Sequence, residues 1–118
     1  QAYSATFYET VGWNGVMDAK DVSARPAGYP SQPDKLFPVY HLLKDVGEFA
    51  GGTVQRIDSS QPLATEAIAL RKDGKLRVLV ANLSDKSQTV NLRGLDARRA
   101  ITVKLKPHAI VRINRAAD

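Results

Sequence analysis

The 118-residue chain contains no cysteine, which excludes disulfide bonds and thiolate metal sites. The sequence has no apolar run near the roughly 20 residues that a membrane-spanning helix requires, and we expect no membrane partner. A basic-then-apolar leader is also missing after the first residue, Gln1. The absence of cysteine is consistent with a cytoplasmic protein. Because the chain begins with Gln1 instead of Met, we expect it to be a piece of a longer protein.

Aromatic residues are missing from the second part of the chain. Through Ala50, four Lys and Arg against six Asp and Glu give a charge of −2, whereas from Gly51 onward thirteen against six give +7. These two changes predict two segments with different roles, residues 1–52 and 53–118. All eight aromatic residues precede Gly51, namely Tyr3, Phe7, Tyr8, Trp13, Tyr29, Phe37, Tyr40 and Phe49.

The second segment has the pattern of a small antiparallel β-sandwich with about six short strands. Apolar residues alternate with polar ones in residues 101–105 and 109–113, which places one face of each strand in a core. Asp73-Gly74 is a preferred pair for a two-residue hairpin turn. The run LRVLVANL, residues 76–83, is typical of a central strand covered on both faces. The predicted fold class is therefore mainly β, with one strand-loop-helix segment in front.

The first segment is predicted to contain one strand, one loop and one helix. Ala5 to Glu9 is strand-like, and residues 25–34 contain three prolines in an irregular loop. Pro38 suits the first turn of a helix that runs to Phe49 and is closed by the glycines that follow. We expect this helix to bury one apolar side, formed by Val39, Leu42, Leu43, Val46 and Phe49.

Four blocks carry a resemblance to a known family. They are FYETVGWNGVMD (7–18), LFPVYHLLKDVGEFAGG (36–52), LRVLVANLSDKSQTVNL (76–92) and LKPHAIVRI (105–113). They resemble the C-terminal end of D-apionate lactonase-type proteins, which are similar to clan-A glycoside hydrolases with a (β/α)8 barrel followed by a small β-sandwich. The resemblance implies that residues 5–9 are a late barrel strand and residues 39–49 the final barrel helix. Most of the barrel would then be missing from this chain.

The same resemblance implies a role for three residues of the first block. Barrel enzymes carry their chemistry at the C-terminal ends of the strands, so Glu9 becomes a candidate catalytic carboxylate in the parent protein. Tyr8 and Trp13 become candidates for lining a sugar-sized pocket. The alternatives are a strand-end ion pair for Glu9 and buried packing for the two aromatics. Because hydrolysis normally needs a second acid/base group, we expect this fragment to be inactive alone and its parent to be a hydrolase.

Three functions remain open at this point. The first is a non-catalytic, structural β-sandwich at the C-terminal end of a glycoside-hydrolase-like or sugar-lactone hydrolase protein. The second is a carbohydrate-binding module that recognises a sugar or an acidic glycan through the basic hairpin around Asp73 or through Tyr8 and Trp13. The third is an autonomous hydrolase centred on Glu9. Six strands without an aromatic ring are a poor sugar platform, which favours the first function.

The remaining expectations concern partners and ligands. His41 and His108 lack a metal-ligand spacing, so no metal and no cofactor are predicted. The basic residues of the second segment have no aromatic residues among them for stacking bases, so no nucleic acid partner is predicted. The expected partners are the missing barrel of the same protein and a second copy of the chain.

Overall fold

The computed structural model of the chain describes residues 10–12, 15–19, 26–28, 35–95 and 99–117. The chain divides into two compact units, Gln1–Ala50 and Gly51–Asp118. Within the described ranges, no helix is long and apolar enough to cross a bilayer. The predicted strand at residues 5–9 lies outside the described residues and stays a prediction.

The first unit contains the predicted helix, α1, over Pro38–Gly47. Phe37 precedes it in an extended conformation, and Pro38 occupies the first turn, where a backbone N–H has no intrahelical partner. The helix ends two residues earlier than predicted. The N–H groups of Phe49 and Ala50 donate to the carbonyl oxygens three residues earlier, at 3.0 Å each, so the last turn tightens after Gly47.

The apolar side of α1 is less buried than its periodicity predicts. No residue of the helix is fully buried, and Leu43 is 39% exposed. Leu42 and Val46 are half-buried. A 3.6-residue period identifies which side of a helix is apolar, but the extent of its burial depends on what surrounds it.

The described residues of the second unit form six antiparallel strands in two sheets, which confirms the mainly β prediction. Four strands form one sheet in the order β1-β2-β3-β6, and two strands form the other, β4-β5. Their bounds are β1 Thr53–Gln55, β2 Thr65–Lys72, β3 Lys75–Asn82, β4 Gln88–Leu92, β5 Ile101–Leu105 and β6 Ile110–Ala116.

The hairpin between β2 and β3 forms as predicted. Asp73 and Gly74 both have positive φ, 48° and 68°, as the favoured two-residue turn requires. The turn sets the register, which runs from Lys72 opposite Lys75 to Thr65 opposite Asn82. This register places Ala69 beside Val78, and Val78 in turn lies beside Ile113 of β6.

One apolar cluster lies between the two sheets of the second unit. Alternate residues of β2, β3 and β6 contribute to it from one side, and those of β4 and β5 from the other. Leu79, which points to the opposite face of β3 from Val78 and Val80, is buried as well, so β3 is covered on both faces as predicted. The buried members of the cluster are Ala69, Leu76, Val78, Val80, Leu92 and Leu105.

Candidate functional site

The three site residues predicted in the first segment, Tyr8, Glu9 and Trp13, lie outside the described residues. Their assignments as a catalytic carboxylate and as pocket-lining aromatics therefore stay predictions. The structure does describe the backbone on either side of Trp13, and it describes the β unit in detail.

Hydrogen bonds join the backbone on the two sides of Trp13, residues 10–12 and 15–17. The N–H groups of Val16 and Met17 both donate to the Thr10 carbonyl oxygen at 3.1 Å, and the Gly12 N–H donates to the Met17 carbonyl at 2.8 Å. Gly12 has a φ of 134°, which favours glycine. A Cβ on Gly15 would lie 2.9 Å from the Thr10 carbonyl carbon and oxygen, so only glycine fits this closure.

A buried carboxylate follows this loop at Asp18. Its exposed fraction is 4%, and its Oδ1 accepts a hydrogen bond from the Ala19 N–H at 2.8 Å. The Asp18 N–H donates to the Lys35 carbonyl at 2.9 Å, which joins this segment to the chain leading into α1. The sequence offered no signal for this burial, because a single Asp after one apolar residue has no distinguishing pattern. Its contacts support a role in holding the backbone.

A second buried polar residue, Asn82, organises the end of β3. The side chain is 2% exposed and uses both N–H donors, on the carbonyl oxygens of Lys86 at 2.7 Å and Lys106 at 2.9 Å. Its Oδ1 accepts from the backbone N–H of Ser84 at 3.0 Å and from the Ser84 hydroxyl at 2.8 Å. Asn82 therefore ties two turns to the central strand, and no donor remains for a ligand.

The Asn82-Leu83-Ser84 triplet also matches the pattern of a glycosylation acceptor. Glycosylation requires an accessible amide nitrogen, and the Asn82 nitrogen is buried against two carbonyl oxygens. In the folded unit this triplet is therefore a structural element of the turn.

The basic hairpin places three of its four cations on one face of the sheet. Lys72 and Lys75 lie opposite each other in the register and share a face with Arg77, whereas Arg71 points to the other face. Arg77 is buried, and its Nε donates to the Asn114 Oδ1 at 3.0 Å. The burial of Arg77 reduces the charge that this face presents to a ligand.

One concave feature of the described β unit is a cavity of about 860 Å³, which we call the edge groove. This size is within the range of small-molecule and peptide sites. One wall is the segment between β1 and β2, and the other is β4 with the residues after it. Residues of β2 and β3 form the floor. The lining comprises residues 55–61, 65–67, 69, 80 and 88–95.

The rim of the edge groove is polar and its charges balance. Arg56 and Arg93 carry positive charge, and Asp58 and Glu66 carry negative charge. The Arg56 Nε donates to the Asp58 Oδ1 at 2.9 Å, but both side chains are largely exposed, so this pair contributes little stability. Beneath the rim, Ala67 and Ala69 leave a floor of small apolar side chains.

The groove wall between β1 and β2 is held in place by one serine. The Ser59 hydroxyl donates to the Thr65 carbonyl oxygen at 2.7 Å, and it accepts from the backbone N–H of Gln61 at 3.1 Å. These two hydrogen bonds fix the wall against the start of β2.

His41 and His108, the two histidines of the chain, are both exposed. His108 follows Pro107 in a turn and has a φ of 56°. The hydrogen bond from the Ala109 N–H to the Lys106 carbonyl, at 3.1 Å, closes this turn. Within the described part of the chain, no group of three His, Asp or Glu side chains is placed to hold a metal ion.

The two-sheet architecture places the second unit among small antiparallel β-sandwiches, the class that includes immunoglobulin-like domains. Residues 62–113 match the family described as D-apionate lactonase, C-terminal immunoglobulin-like domain. The match covers β2 to β5 and the start of β6, which is less than half of the chain. It supports the interpretation of the chain as the C-terminal region of a lactonase-like protein.

No curated protein and no solved structure matched the chain. The family match begins at residue 62, so it excludes the first unit and the groove wall at residues 55–61. The resemblance of the first unit to the last part of a β/α barrel, and the wider likeness to glycoside hydrolases, stay predictions.

Proposed function

We propose that the chain is the C-terminal end of a sugar-lactone hydrolase or glycoside-hydrolase-like protein, and that its β unit is a non-catalytic, structural accessory domain. The match of residues 62–113 to the immunoglobulin-like domain of D-apionate lactonase carries this proposal. In the parent protein, the barrel supplies the active site and Glu9 supplies one carboxylate.

The use of polar side chains in the β unit supports a structural role. Asn82 directs all its hydrogen bonds to turns of the same unit, and Ser59 fixes the segment before β2. Such buried, satisfied polar groups stabilise one arrangement of the turns and leave nothing available for substrate.

The carbohydrate-binding alternative receives less support. None of the residues lining the edge groove is aromatic, and all eight aromatic residues of the chain lie in the first unit. Sugar rings bind commonly against flat aromatic faces. With Arg77 buried, the basic hairpin also offers a weaker surface for an acidic glycan than its sequence indicates.

The test uses the full-length gene product that contains this chain, with a sugar lactone as substrate. Glu9→Gln is expected to abolish turnover without changing the Tm, because it removes a reacting group at constant shape. Glu66→Gln is the matched control, because Glu66 is an exposed carboxylate on the β unit. It should leave both kcat and KM unchanged.

Two results would contradict the proposal. Loss of turnover in Glu66→Gln would place chemistry on the β unit. A raised KM in that variant, with kcat unchanged, would make the β unit a substrate-binding module. The 118-residue chain alone should show no lactone turnover, and activity that disappears in its Glu9→Gln variant would identify it as an autonomous hydrolase.

A further inference from the structure

The Asn82-Leu83-Ser84 triplet is a sequence motif that the proposed function does not use. In the unfolded chain it has the pattern on which N-glycosylation acts. That reaction joins the asparagine Nδ2 to the anomeric carbon of an oligosaccharide carried on a lipid pyrophosphate. The bond between this carbon and the pyrophosphate oxygen breaks, the lipid pyrophosphate leaves, and Nδ2 loses one proton. The modified amide therefore keeps one N–H group instead of two.

The folded β unit uses both N–H groups of this amide. The Asn82 Nδ2 donates to the carbonyl oxygens of Lys86 at 2.7 Å and Lys106 at 2.9 Å. The orientation of the amide is fixed, because the Ser84 backbone N–H donates to Oδ1 at 3.0 Å and Oδ1 is the acceptor of this side chain. Whichever hydrogen a sugar replaces, one of the two turns loses its hydrogen bond to Asn82.

The sugar would also collide with a carbonyl oxygen. A C–N bond is about 1.5 Å long, so the anomeric carbon would lie within about 2 Å of the Lys86 or the Lys106 oxygen. Carbon and oxygen atoms that are not bonded approach to only about 3.3 Å. The Asn82 side chain is 2% exposed, and its backbone N–H donates to the Ala109 carbonyl oxygen at 2.9 Å. Relieving the collision therefore requires the end of β3 to separate from its neighbours.

We propose that the triplet accepts an N-linked glycan only in the unfolded chain, and that a glycan on Asn82 and the folded β unit exclude each other. The folded unit buries the acceptor nitrogen, and the Ser84 hydroxyl donates to the Asn82 Oδ1 at 2.8 Å, so neither group is presented to a glycosylating enzyme. The β unit forms only from chains whose triplet is unmodified. This inference does not depend on the proposed lactonase relationship.

The test expresses the 118-residue chain in yeast, once in the cytosol and once behind a cleavable secretion signal. We expect the cytosolic chain to be unmodified, with a β unit that resists trypsin. We expect the secretory chain to carry a glycan on Asn82, detected as a mass decrease after endoglycosidase H, and to be digested at least about tenfold faster. Tunicamycin, which stops synthesis of the lipid-linked donor, should restore trypsin resistance in the secretory pathway without any substitution.

A matched glycan at an exposed position separates the effect of the site from the effect of the glycan. Asn91 is exposed, and its Oδ1 accepts from the Thr102 hydroxyl at 2.8 Å, a hydrogen bond that glycosylation of Nδ2 leaves in place. Arg93→Thr gives Asn91 the acceptor pattern, and Ser84→Ala removes that pattern from Asn82. The double variant should carry one glycan and resist trypsin as well as its own unmodified cytosolic form.

Four results would overturn the inference. The first is a chain with a glycan on Asn82 that resists trypsin as well as the cytosolic chain does. The second is equally fast digestion with and without tunicamycin, which would make the compartment the cause. The third is the absence of a glycan on Asn82 in untreated secretory cells. The fourth is rapid digestion of the glycosylated double variant when its cytosolic form is resistant. The tunicamycin comparison uses the unsubstituted chain, so it decides even if Ser84→Ala destabilises the turn.

Discussion

The two units of the chain differ in how they are stabilised. Among the described residues, every fully buried apolar side chain belongs to the β unit. In the described part of the first unit, backbone hydrogen bonds such as those that Thr10 accepts hold the loop. Both units expose large apolar side chains, among them Leu43 in the first and Leu63 in the second, so this exposure does not distinguish them. What distinguishes them, among the described residues, is the buried apolar core of the β unit.

Each unit also buries a polar side chain whose hydrogen bonds hold a loop. Asn82 joins two turns to the central strand of the β unit, and Asp18 accepts from the backbone beside it in the first unit. Both residues hold backbone that periodic patterns do not specify. Three pairs of substitutions test how the stability of the two units differs.

The largest effect is expected from Asn82→Asp. The new carboxylate oxygen would face the Lys86 and Lys106 carbonyl oxygens without a donor, and we expect a loss of roughly 4 kcal/mol in the free energy of unfolding. Asn91→Asp is the control, because Asn91 is exposed and acts only as an acceptor towards Thr102. Urea denaturation measures both changes, and equal losses would contradict the structural role of Asn82.

A smaller loss is expected from Leu105→Ala. Leu105 is 1% exposed within the main cluster, and its truncation should leave a cavity that costs about 3 kcal/mol. Leu63→Ala removes the same atoms from a side chain that is 92% exposed and should change stability by less than about 0.5 kcal/mol. Thermal melts followed by far-UV circular dichroism report the β unit. Similar melting temperatures for the two variants would show that this cluster does not stabilise the unit.

The smallest effects are expected in the first unit. Gly15→Ala brings a Cβ against the Thr10 carbonyl and should open the loop at a cost of about 1–2 kcal/mol. Gly47→Ala, in the last position of α1 with open space around it, should stabilise the helix by up to about 1 kcal/mol. Fluorescence of Trp13, the single tryptophan, reports this loop. An unchanged emission spectrum in Gly15→Ala would contradict the predicted opening.

Much of the β unit could be predicted from local patterns. Asp73-Gly74 predicts its hairpin because both positions need positive φ, and the structure has it there. The strands predicted at residues 76–83, 101–105 and 109–113 form close to those positions, because alternation with a period of two is a direct consequence of strand geometry. The start of α1 at Pro38 follows from proline chemistry in the same way. The end of α1 at Gly47 could not be predicted in this way, because the two hydrogen-bond patterns available there differ little in free energy.

The candidate sites were harder to predict than the fold. The edge groove depends on which strands share a sheet, and no pattern within β4 shows that, among the described strands, it pairs with β5 alone. Asn82 was recognisable only as part of a possible glycosylation triplet, although it is almost fully buried. Its partners come from Lys86 and Lys106, and the second of these is distant in the sequence. The proposed roles of Tyr8, Glu9 and Trp13 rest on resemblance alone.

By itself, the amino-acid sequence determined where strands, turns and the helix occur, since these depend on the conformational preferences and periodicity of neighbouring residues. Only the tertiary structure decided the pairing of β4 with β5 in the described sheet, the burial of Asn82, and the groove between β4 and residues 55–61. These features depend on contacts between residues far apart in the chain. Their energies become favourable only when the two sheets are packed together.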